Sequence, residues 1–458
     1  MSAAASRANP LHDGPFPASG EDGSVRRYLA ILRVRAARNP FLSSVVGRLP
    51  ISMAPLAAVL LIQQVRGSYS IAGVITGAYA LGSTVGTPVL GRLVDRLGQP
   101  RVIGPAGTLS AVLLAALALT AAAGAGDPLL LLLALAAGLS APPLAAAMRG
   151  AWRTALPGAP ERLAAYALDA VAVEFVFVVG PLLIGLLLTT TPPAVPLLVT
   201  AGLLAVGSLS YTRAGAVRAW RPEPHPEGQG PARTPLADRG VRTLLLASLL
   251  VAVGFAHIDL SIAATAREAL GDPGRVGLLF ACIAGGSTLG GLWYGSRSWR
   301  IPERLRLPAS LVGVCTGLAA VAVLLGGIEG RPRSPGLPLL GALLFAAGVF
   351  IAPGLIAVTN LVDALAPRSR LSEAQAWVST SYTGGAAAGT ALAGLLVDRG
   401  GPGRGFAGAF VLMLAAGVMA LASQRWWRRA DRGSAARAAH EGAPQVPATL
   451  DPSGRLDP

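Results

Sequence analysis

Five ionisable side chains stand inside or at the edge of apolar stretches, where a charge needs a reason. Asp169 and Glu174 share the run Tyr166-Ala-Leu-Asp169-Ala-Val-Ala-Val-Glu174-Phe-Val-Phe. Asp259 follows His257 in Phe255-Ala-His257-Ile-Asp259-Leu, and Arg48 and Arg149 each lie near one end of an apolar run. An ionised group in such surroundings is costly unless it is paired, protonated or open to water. A carboxylate that can pass between its two forms is what proton coupling requires, and Arg48, Arg149, Asp169, Glu174 and Asp259 are the candidates for proton or substrate coupling. The alternative is a standing pair, Arg48 with Glu174 or Arg149 with Asp169. Either arginine could also reach back to the membrane surface. Five residues on a helix turn by about 500°, so Asp169 and Glu174 face roughly 140° apart and need different partners. His257 and Asp259 point about 200° apart and are not a direct pair.

The elements that must position these groups are membrane helices. The chain is 53% hydrophobic and 13% charged, with a mean hydropathy of +0.57, a membrane composition. About 20 apolar residues cross a bilayer as a helix. Twelve such runs are predicted, at approximately 41–63, 71–94, 102–123, 128–149, 163–188, 193–212, 242–266, 276–297, 308–328, 336–360, 371–397 and 404–424. They divide the chain into a tail at 1–40 with a basic juxtamembrane segment, a six-helix half at 41–212, a Pro-rich loop at 213–241, a second half at 242–424 and a tail at 425–458. Pro142 and Pro143 should break the fourth run, because each removes a backbone donor.

The net charge of +15 does not imply nucleic acid. All 38 basic residues are Arg, and an amino terminus in the cytoplasm puts 30 of them in cytoplasmic segments and 7 in outer loops. That bias places both ends inside a plasma membrane. Trp152 and the stretch Arg425-Trp-Trp-Arg-Arg429 are expected at the membrane interface.

A ladder of glycines recurs along the chain. Gly82, Gly86 and Gly91 are followed by Asp95 and Arg96, and Gly385, Gly389 and Gly394 by Asp398 and Arg399 at the same spacing. Gly286, Gly290 and Gly295 repeat it with Trp299 in the acid's place, and Gly180 and Gly185 keep one interval. The ladders fall on every third run, so the chain reads as four three-helix units. Small residues let helix backbones approach closely in lipid.

The stretch Gly91-Arg-Leu-Val-Asp95-Arg96-Leu-Gly98 resembles the loop 2–3 signature of the major facilitator superfamily. It departs at Gln99 and Pro100, where the signature has a basic pair, and Arg101 supplies the remaining charge. The resemblance implies the all-α membrane fold of that family, two six-helix halves working by alternating access. It implies that Asp95, with Gly91, Arg96, Gly98 and Arg101, locks the cytoplasmic side by capping the eleventh helix. Ser369, Ser372 and Glu373 would share that capping. It places the ladder helices, and with them Gly82, Gly86, Gly180, Gly185, Gly286, Gly290, Gly385 and Gly389, between the halves. Gly180-Pro181 resembles the helix 5 signature of the family's antiporters. Asp398 is open between a relic of the repeat and an outer gate.

Other chemistry has no footing here. No P-loop, zinc-spaced His/Glu pair or nucleophile elbow occurs, and Cys282 and Cys315 have neither disulfide nor metal spacing. No cofactor or metal is expected. The sequence points to a monomeric transporter, with a small molecule, protons and membrane lipids as partners. Proton-coupled export of an amphipathic compound leads, with import of a metabolite or a non-transporting scaffold as alternatives.

Overall fold

The computed structural model describes residues 31–156, 159–220, 235–297, 299, 301–326, 336–366 and 371–428. The expectations for the outer parts of both tails, the proline-rich centre of the 213–241 loop and Ser369 lie outside these residues, as does the side chain of Ser372.

Regular structure among the described residues is helical throughout. Before the central loop stand α1 (Arg35–Arg48), α2 (Pro50–Arg66), α3 (Tyr69–Leu97), α4 (Gln99–Ala122), α5 (Asp127–Leu139), α6 (Leu144–Ala155), α7 (Ala159–Thr190), α8 (Val195–Arg213) and the short α9 (Gly215–Ala219). After it come α10 (Arg239–Ala264), α11 (Val276–Gly295), α12 (Glu303–Leu324), α13 (Leu337–Gly348), α14 (Ile351–Leu365) and α15 (Leu371–Ala422). Ser68 opens α3 by accepting from the Ile71 amide, and Asp238 opens α10 by accepting from Gly240 and Val241.

Ten stretches among these residues are long and apolar enough to cross a membrane. The difference from twelve has two sources. α3 is 29 residues long, but its glycines, serines, threonines and tyrosines dilute its apolar character and it is not one of the ten. Glu373–Ala422 counts as one stretch of 50 residues, although Gly400 and Gly401 leave helical geometry within it. Gly401 has φ +74, a left-handed conformation that glycine adopts without strain.

Two spans are broken in mid-course. α5 ends at Leu139 and α6 begins at Leu144, with Pro142 and Pro143 in the gap. α13 gives way to α14 at Val349 and Phe350, four residues before Pro353, whose missing N–H leaves the Val349 carbonyl without its helical donor.

The ladder glycines correct one expectation. A Cβ on Gly82 or Gly86 would run into the backbone of Leu135–Leu139 in α5, and one on Gly286 or Gly290 into Phe345 or Val349. Gly385 and Gly389 press on Leu249–Ala256 of α10, and Gly180 on Ser52 and Met53 of α2. Each of these contacts stays on one side of the central loop. Only Gly185 of the eight meets the other side, through Gly274 and Gly277. The crossing is otherwise made by Gly73 and Gly77 of α3 against Ala387–Ala391 of α15, and by Gly394 against Tyr69 and Ser70. The four-residue spacing therefore tightens helix pairs within each half.

Two of the tryptophans expected at the membrane interface are packed inside the protein. Trp152 is fully buried with its ring 5.5 Å from Phe41, and Trp427 is fully buried and donates to the Gly240 carbonyl at 3.1 Å. Their neighbours α1 and α10 offer apolar walls that cover the indoles.

Candidate functional site

A cavity of about 540 Å³ lies between the helices before and after the central loop. α2, α3 and α7 form one wall, and α10, α11, α14 and α15 the other. Its polar landmarks are Glu174 and Asp259, set among Phe177, Phe255, Phe280 and Tyr382. Among the described residues no basic side chain lines it. Both carboxylates are exposed to this space; Asp259 is open while its neighbours Ile258 and Leu260 are each 2% exposed. Among the described residues neither has a hydrogen-bond or ion-pair partner.

Asp169, one and a half turns before Glu174 on α7, faces elsewhere. Arg48 closes on it at 2.8 Å, with the guanidinium side chain 2% exposed and the carboxylate 13%. Nε of Arg48 also donates to the Ser44 carbonyl at 3.3 Å. The pairings considered from sequence, Arg48 with Glu174 and Arg149 with Asp169, are not the ones formed. The turn between positions 169 and 174 explains why: one face of α7 meets α1 and the other meets the cavity. Arg149 is exposed on α6.

The signature residues sit at one end of the bundle. Gly98 ends α3 with φ +89, a conformation that suits glycine. Asp95 is exposed and without a partner among the described residues, so it does not cap the start of α15 in this structure. Arg96 and Arg101 border a hollow of about 500 Å³ together with Arg218 and Trp220, while Gly91 faces open space. Gln99, which stands where the signature is basic, is buried. It accepts from the Tyr211 hydroxyl at 2.9 Å and donates to the Ala147 carbonyl at 3.0 Å.

At the opposite end, Asp398 of α15 grips the start of α3. Its carboxylate accepts from the Tyr69 amide at 2.7 Å, the Ser70 amide and the Ser68 hydroxyl at 2.8 Å, and the Ser70 hydroxyl at 2.6 Å. Arg267 donates to Gln64 at 3.5 Å nearby. The two sets of helices are thus tied at the Asp398 end.

His257 is buried, with Nδ1 2.8 Å from the Val253 carbonyl, and does not line the cavity. No cluster of metal-binding side chains occurs among the described residues. The aromatic wall and the grip of Asp398 on Ser68 and Ser70 were missed from sequence. Only the repeated ladder spacing hinted at Asp398.

The family described as the Major Facilitator Superfamily matches residues 41–258 and 244–452. The multidrug efflux pump Tap of Mycobacterium tuberculosis is 26% identical over 319 residues, covering 64% of this chain and 70% of Tap. The same figures hold for Tap of Mycobacterium bovis. Among solved structures, a point mutant of the nucleoside transporter NupG superposes with a TM-score of 0.67 at 13% identity, over 84% of this chain and 99% of NupG. The peptide transporter POT with bound sulfate gives 0.64 at 17% identity, over 86% and 94% of the two chains. At these identities the structural likeness speaks for the fold.

Proposed function

Because the chain belongs to the major facilitator superfamily, a family of multi-pass membrane transporters, we propose that it exports a small amphipathic organic molecule in exchange for protons. The observation that carries the coupling is the pair of carboxylates, Glu174 and Asp259, standing without partners among the described residues in the cavity between the two sets of helices. A carboxylate with no cation beside it can take a proton or a substrate in turn, which is the elementary requirement of exchange. Arg48 pairs with Asp169, which favours Glu174 and Asp259 over that third acid for the coupling role. The resemblance to Tap, named as a multidrug efflux pump, supports export over import.

The proposed topology has twelve crossings. α15 supplies two, one on each side of the non-helical Gly400 and Gly401, since its 52 residues at about 1.5 Å each far exceed one bilayer of about 30 Å, and α3 supplies the span whose apolar character its glycines, serines, threonines and tyrosines dilute. The positive-inside bias puts both termini, and the Asp95 end, in the cytoplasm of a plasma-membrane protein. The structure then corresponds to the state closed outside by Asp398, with Asp95 released inside. Rocking of the two halves would move the cavity's access from one side to the other.

The test is proton-driven substrate movement in inverted membrane vesicles, with a panel of toxic amphiphiles as candidates. Glu174→Gln should abolish the response to a proton gradient and leave some gradient-independent exchange. Full proton-driven transport in that variant would move the coupling to Asp259 alone.

A further inference from the structure

Resting on the transport reading, we propose that the cavity selects organic cations bearing aromatic or bulky apolar groups. Two carboxylates contribute negative charge, and no basic side chain among the described residues offsets it. An anion would therefore enter against uncompensated charge, and a neutral compound would leave both acids unsatisfied. The rest of the wall suits a cation with an apolar body. Phe177, Phe255, Phe280 and Tyr382 line it, and aromatic rings attract cations as well as apolar surface. About 540 Å³ holds a drug-sized molecule.

Binding to the purified full chain separates this proposal from the export reading. Tritiated tetraphenylphosphonium is the probe. The water-soluble anion 3-(diphenylphosphino)benzenesulfonate, of similar shape and opposite charge, and neutral triphenylphosphine oxide are the competitors. Tetraphenylphosphonium should bind, and Asp259→Asn and Glu174→Gln should each weaken it about tenfold, as loss of one charged contact implies. Neither competitor should displace it. Unchanged affinity in both variants, or displacement by the sulfonate anion, overturns the cation proposal and leaves export standing. Cation binding without proton-driven efflux supports this proposal and defeats the export reading instead.

A separate observation carries a second inference. We infer that Asp398 is the outer counterpart of Asp95, a positioning residue that holds the outer end shut while Asp95 is free. The two acids follow identically spaced glycines, at Gly82, Gly86 and Gly91 and at Gly385, Gly389 and Gly394. One is exposed without a partner among the described residues, and the other accepts four hydrogen bonds from the opening turn of α3. Two of those donors are backbone amides of a helix start, where an anion is favoured. The bonds cross from α15 to α3 and must break for the outer end to part.

Spin labels at Gln64→Cys and Glu268→Cys, with Cys282→Ala and Cys315→Ala, read that end directly by pulsed distance measurement. Asp398→Asn should shift the distribution to longer distances, because an amide nitrogen would face donors. Ser68→Ala with Ser70→Ala should shift it the same way by less, and Asp95→Asn should not lengthen it. An unchanged distribution in Asp398→Asn and in the serine pair would overturn the assignment.

Discussion

Arg48 and Asp169 meet at 2.8 Å inside the first half, joining α1 to the face of α7 that looks away from the cavity. The pair answers how a guanidinium is tolerated two turns into a span, and it leaves Glu174, on another face of the same helix, without a partner among the described residues. One helix thus carries a paired carboxylate and, among the described residues, an unpaired one.

Removing one partner should be worse than removing both. Asp169→Asn leaves a buried cation and should destabilise the protein by about 3–5 kcal/mol, whereas Arg48→Met with Asp169→Leu should regain most of that loss. Thermal unfolding of the purified protein in detergent ranks the three forms. An Asp169→Asn melting point equal to the parent's would show that the pair contributes nothing.

Asp95 should behave in the contrary fashion. It is exposed here and bonded to nothing among the described residues, so Asp95→Asn should change the stability of this state by no more than about 0.5 kcal/mol. Its transport rate should nevertheless fall, since the carboxylate would be needed when the cytoplasmic end closes. A melting curve and a transport assay on the same variant decide it, and an unchanged rate would remove the lock.

The histidine is expected to be a bystander. His257 is buried against the Val253 carbonyl and does not line the cavity. His257→Gln should leave the pH profile of transport where it is, while Asp259→Asn should flatten it. A profile displaced by His257→Gln would bring that residue into the coupling.

Crowding at Gly86 and Gly77 should have separable effects. At Gly86 an added methyl meets the backbone of Leu139 within one half, whereas at Gly77 it meets Ala387 across the division. Gly86→Ala should lower stability by about 1–3 kcal/mol. Gly77→Ala should act chiefly on turnover. Melting points and transport rates of the two variants, taken together, test the distinction.

Much of this was legible from residue order. The apolar runs, the break at Pro142 and Pro143 and the inequality of Asp169 and Glu174 follow from length, a missing donor and helical angle. What angle cannot supply is the identity of the neighbour. The 140° between the two acids, roughly what five residues of helix turn through, requires different environments but does not say which one Arg48 occupies; that depends on how α1 lies across α7. The ladder misled for a related reason. Spacing shows that a face is smooth, and says nothing about which helix rests on it. The four bonds of Asp398 reach residues more than three hundred positions away, beyond any local pattern.

The placement of those glycines bears on how little of the molecule has to give. Within a half, Gly82, Gly86, Gly286 and Gly290 bring backbone against backbone, and Gly73, Gly77 and Gly394 do the same across the division, so there is little side chain to rearrange on either kind of contact. Slippage between the halves then runs along two closely packed seams, α3 along α15 and α7 against the start of α11. A compound wedged into either seam would arrest the cycle without ever entering the cavity, and a cell using this protein would be open to inhibition from a surface its substrates never touch.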